Sequence, residues 1–172
     1  MIYLNDVLYE WLSTTFPDTE WRVGDQVSSP PMPQSMGSFG FYKITGLKNL
    51  TVKAHEDTYN ETTGKIDRDL KKNYEARVSI DVYGQDIAND DTNAAMIATK
   101  LDAFLQSEDV KDYFFTHDVG LLRVDQLQDF SMIESGQVRD RWHLEVYFSI
   151  QLRFATELNY IAEIPIDYNI SR

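Results

Sequence analysis

The chain has 172 residues, no cysteine, 28 acidic side chains against 16 basic ones, and a net charge of −12. The length points to one domain covering residues 1–172; the missing cysteines exclude disulfides and thiolate metal sites; the acidic balance excludes strong non-specific nucleic-acid binding, which needs Lys and Arg to displace counterions. No apolar run reaches the roughly 18 residues of a membrane helix, so no membrane partner is expected, and the composition fits a protein kept in cytosol.

In chain order, residues 4–16 carry Leu4, Val7, Leu8, Trp11 and Leu12 at helical spacing. Asn5 or Asp6 is the expected cap, and Pro17 the stop. The acids Asp6 and Glu10 inside this pattern argue against a secretory leader. Residues 21–27 read as a short strand. Residues 28–38, SSPPMPQSMGS, are too rich in proline for a sheet and read as a loop. An extended run over residues 39–57 follows, with Gly46 as a bend or bulge. Polar residues 58–70 read as a hairpin tip, and residues 74–83 return as a strand, with Ala76, Val78, Ile80 and Val82 on one parity. Gly84 is expected to break it.

The strongest helix runs from residue 86 or 91 to 107, with Ala94, Ile97, Ala98, Leu101, Phe104 and Leu105 on its apolar face and Asp86, Asp90 and Asp91 near its start. EDVKDYFF adds a short helical turn. Another strand starts at Gly120, continues irregularly through Phe130 to Ile133, and turns at Glu134-Ser135-Gly136-Gln137. The last run is RWHLEVYFSIQLRF, residues 141–154, with an apolar side chain at every even position. Such alternation predicts an interior antiparallel strand with one dry face against the helices and one wet face. The reading is therefore α+β: a mostly antiparallel sheet with long β-hairpins and two main helices packed on one face.

No phosphate loop, nucleotide fingerprint or nucleophile elbow occurs. The three histidines lack the company that chemistry requires. His143 falls on the wet side of the last strand and reads as an exposed strand residue. His55 and Asp57 share a strand face, and two ligands do not make a metal site. His117-Asp118 reads as a loop pair. No catalytic residue, cofactor or metal is expected. Charge is uneven, however: eight cations and six acids leave +2 on residues 43–77, so the remainder carries −14. Unlike patches on one molecule favour contact with protein partners. The candidate contact residues are Pro30, Pro31 and Met32 in the proline-rich loop, Asn60, Glu61, Lys65, Arg68 and Asp69 at the hairpin tip, and Glu134 and Gln137 at the last turn.

Over residues 74–160, about half the chain, the sequence resembles the tail-terminator (neck-terminator) proteins of tailed bacteriophages. The resemblance is carried by a strand ending in YGQD, a helix ending in FLQS, a GLL strand start, the DFSMIESG turn and the strand RWHLEVYF, in that order. It implies a mixed sheet flanked by helices and a hexameric ring of copies of the chain at the head-proximal end of the tail tube. The implied partners are the tail tube protein and a head-completion or connector protein, with DNA only passing through the lumen. It implies a virion protein made in the host cytoplasm, and it carries no catalytic residues. Two other readings remain: another tail-completion or head-closure component, and a glycan-binding module using Tyr59, Tyr74 and Tyr83.

Overall fold

In the computed structural model the described residues are 2–24, 38–50, 54–85, 93–134 and 137–159. Three helices are described, α1 (Ile2–Thr15), α2 (Ala94–Leu105) and α3 (Glu108–Thr116). The strands are β1 (Thr19–Val23), β2 (Ser38–Asn49), β3 (Ala54–Asn60), β4 (Lys65–Gln85), β5 (Val119–Val124), β6 (Gln128–Asp129), β7 (Met132–Glu134) and β8 (Gln137–Asn159). They form one sheet with the order β1-β2-β4-β8-β5; β3 pairs with β4, and β6 and β7 pair with β8. β1 and β2 are parallel, and β2–β4, β3–β4, β5–β8, β6–β8 and β7–β8 are antiparallel. The α+β reading holds, and β8 is interior.

By contacts the chain forms two compact units, Met1–Leu50 with Asn73–Gln151, and Thr51–Lys72 with Leu152–Arg172. In the first unit the helices lie on one face of the sheet. The Tyr42 hydroxyl donates to the Asn5 carbonyl of α1 at 3.1 Å, and the Phe148 ring of β8 meets Phe114 of α3 at 5.0 Å. Ala76, Val78, Ile80 and Val82 of β4, and Leu144, Val146, Phe148 and Ile150 of β8, are buried on this side. Each such side chain contributes roughly 1.5–3 kcal/mol. Of the other apolar even positions in β8, Trp142 and Leu152 are half-buried; the Phe154 side chain lies outside the described residues.

Gly84 does not break β4, which continues through it to Gln85. A Cβ there would sit 2.5 Å from the Ala94 backbone nitrogen, so the bare glycine lets the start of α2 lie against the strand. α1 begins at Ile2, which puts Asn5 and Asp6 inside the helix and not at its cap. The cap of α2 is Asn93, whose Oδ1 accepts from the Met96 N–H at 2.7 Å; Asp86, Asp90 and Asp91 lie outside the described residues. Ser107 caps α3, and Glu108 and Asp109 occupy its first turn, where carboxylates offset the helix dipole. The register shift between Ile44 and Gly46 is the anticipated bulge.

The second unit contains the hairpin of β3 with the part of β4 up to Lys72. Its tip is shorter than expected: residues 58–60 and 65–70 are strand, and only 61–64 turn. Polar side chains disguised these strands, because cross-strand ion pairs replace apolar burial there.

Candidate interaction surfaces

At the tip, Asn60 organises the turn. Its Oδ1 accepts from the N–H groups of Thr62 and Thr63 at 3.1 and 3.2 Å, its Nδ2 donates to Asp67 at 3.0 Å, and its carbonyl accepts from Gly64. Gly64 has φ +66°, a left-handed conformation that favours glycine. Glu61 is exposed, and Lys65 is the strand partner of Asn60. Arg68 faces Asp57 and donates two hydrogen bonds of 2.7 Å to its carboxylate, a bidentate pair that raises the Arg68 pKa. Asp69 pairs in register with Glu56, and Glu134 with Gln137 across the β7–β8 hairpin. The side chains of Asp69, Glu134 and Gln137, like Pro30, Pro31 and Met32, lie outside the described residues.

The sheet face away from the helices carries a charge network. Arg77 of β4 pairs with Glu145 of β8, and this hydrogen bond is the main reason the Glu145 carboxyl lies below its usual range. Tyr147 donates to Glu145 at 3.3 Å, and the Arg123 guanidinium stacks 3.5 Å from the Tyr147 ring centre. Asp81 of β4 accepts from Arg141 at 3.1 Å and lies 3.0 Å from Nδ1 of His143. With Gln151 donating to Asn73, the contacts run in opposite directions along β4 and β8, so these strands are antiparallel.

His143 is thus not an exposed strand residue. Its side chain is 16% exposed, held by Asp81 and 5.5 Å from the Phe130 ring. This face is also not uniformly wet. Phe39 stacks on Tyr83 at 5.0 Å and 6°, Phe41 meets Tyr83 edge-on, and both Phe41 and Tyr83 are buried. Alternation along β8 alone says nothing of the rings that β2 and β4 bring beside it. With Tyr83 buried, Tyr74 half-buried and Tyr59 exposed, the three tyrosines do not share one exposed platform.

The loop reading of His117-Asp118 holds. His117 caps α3, with its Nδ1 2.8 Å from the Tyr113 carbonyl, and Asp118 has φ +54°. Among the described residues no group of three His, Cys, Asp or Glu side chains is placed to hold a metal.

A groove that the sequence reading missed opens between the end of α1, the start of β1 and the outer side of α2, with a volume of about 390 Å³. Phe16, Ile97 and Phe104 form apolar walls, with the Phe16 and Phe104 rings edge-to-face at 5.9 Å. Thr19 and Ser38 are strand partners in the lining, and their hydroxyl oxygens are 3.1 Å apart. Lys100 and Asp18 also line it. The sequence places Ile97 and Phe104 only on the apolar face of an amphipathic helix. Phe104, expected on the buried apolar face, is instead 42% exposed; the signal available was that it lies at the edge of that face, four residues after Lys100.

An antiparallel sheet with helices along one face and a charge-laced second face defines an α+β protein whose described side chains are arranged for packing and pairing. The family model for the phage neck terminator protein matches residues 3–171, and the chain belongs to that family. The match extends well beyond the 74–160 stretch that carried the resemblance and takes in the N-terminal third. The family is a structural one, so the chain is a structural component of the phage tail or neck. No curated protein matches the chain.

Proposed function

We propose that the chain terminates a phage tail: copies of it close into a hexameric ring on the head-proximal end of the tail tube, stop tube growth, and offer the opposite side of the ring to a head-completion or connector protein. The match to the neck-terminator family over residues 3–171 carries this reading. DNA passes through the lumen without being gripped, in keeping with a net charge of −12. The protein is synthesised in the host cytoplasm, joins the virion there, and has no catalytic task.

A closed ring needs heterologous contacts, one patch against a different one on the neighbour. Unequal charge along the chain supports that, as do large apolar side chains left exposed in the first unit, among them Phe115 at 76% and Val23 at 57%. The test is a phage lacking this gene. Tails of abnormal length, restored by the added protein, are the expected result. Full-length tails with heads that leak DNA would assign the chain to head closure instead.

A further inference from the structure

The groove beside α2 holds what an extended peptide requires and lacks its occupant's polar partners. Thr19 and Ser38 are 7% and 3% exposed. Their two hydroxyls carry two hydrogens and share one hydrogen bond, so one buried O–H donor remains at the lining. Among the described residues neither Lys100 nor Asp18 has a hydrogen-bonding or ion-pair partner. A buried donor with a nearby cation calls for a carbonyl or carboxylate oxygen. The walls of Phe16, Ile97 and Phe104, with Phe104 still 42% exposed, call for a branched apolar side chain.

We propose that this groove receives residues 160–170 of a second copy of the chain. The segment reads YIAEIPIDYNI: isoleucines at 161, 164, 166 and 170, two acids at 163 and 167, and no base. Its acids can pair with Lys100, its backbone N–H groups can donate to Asp18 and its isoleucines fill the ring walls. Pro165 has no N–H for a sheet ladder and biases Ile164 toward extended backbone, which suits a groove better than continuation of β8. Eleven extended residues span at most roughly 40 Å, enough to pass from one subunit to the next. Segment into groove is also a heterologous contact, the kind that closes a ring. The inference rests on the ring reading above and names one contact within it.

The absence of native cysteine makes the test direct. Full-length Lys100→Cys and isotope-labelled Asp167→Cys chains are mixed, assembled with tail tubes, and treated with a short bis-maleimide. A cross-linked pair containing one labelled and one unlabelled chain is expected. A control pairing of Glu108→Cys with Asp167→Cys should give none. Rings of the correct mass without the cross-link would overturn the inference and leave the ring reading standing. So would a doubly substituted chain that links only within itself. If light scattering of the untreated mixture finds no ring, the ring reading fails and this contact fails with it.

Discussion

On the helix side of β4 and β8, Val78, Ile80, Val146 and Phe148 are completely shut from water. One residue along, on the other side, Arg77 meets Glu145, and Asp81 meets Arg141 and His143. The same two strands are thus held by non-directional burial on one face and by oriented charge pairs on the other. Burial of a large side chain stabilises by kilocalories, whereas a partly exposed ion pair stabilises little, because water and salt screen it. The helix face therefore supplies most of the stability, and the charge pairs on the other face can be altered without unfolding the chain.

Five substitutions would break or sharpen this contrast. Phe148→Ala removes a ring that touches Phe114 and should cost about 3–5 kcal/mol in urea unfolding. A loss below about 1 kcal/mol would mean that the helices are not the stabilising layer. Gly84→Ala pushes a methyl into the backbone of α2 and should cost about 1–3 kcal/mol. Gly120→Ala, where the nearest atom is 3.4 Å away, should be milder. Asn93→Ala, which uncaps α2, should cost about 1 kcal/mol and lower helical circular dichroism.

The smallest effect belongs to the charged face. The Glu145 carboxyl sits below its ordinary value of 4.5 because Arg77 hydrogen-bonds it. A depressed carboxyl stabilises the fold above its unfolded pKa and loses that contribution as pH falls through the folded value. The stability gap between the wild type and Glu145→Gln should therefore be widest above pH 4.5, close on acidification below it, and shrink in high salt. A gap that widened on acidification would place the pair's contribution elsewhere.

Much of the first unit was legible. α1, α2, β8 and the bulge near Gly46 each follow from a local period or from the missing side chain of one residue. The β3–β4 hairpin was half legible, since its strands are polar and stabilised by pairs such as Arg68 with Asp57, which no apolar period reveals. Gly84 looked like a strand breaker because a glycine's reason for being bare lies in what approaches it. The candidate surfaces divided in the same way. The tip residues Asn60 and Arg68 stand in one hairpin as expected, whereas the groove joins Phe16, Ser38 and Phe104 from distant parts of the chain and leaves no local mark.

By itself the sequence determined most of the elements, the α+β class and the interior position of its longest strand, because periodicity and turn chemistry act over a few residues and each is written locally; the family was legible through the resemblance of its motifs. Only the tertiary structure decided that Phe41 and Tyr83 are buried on the supposedly wet face, that His143 lies between Asp81 and Phe130, and that Lys100 and Asp18 line one apolar groove. Those outcomes depend on which strands become neighbours, and strand pairing is settled by packing across the whole chain and not by any stretch of it.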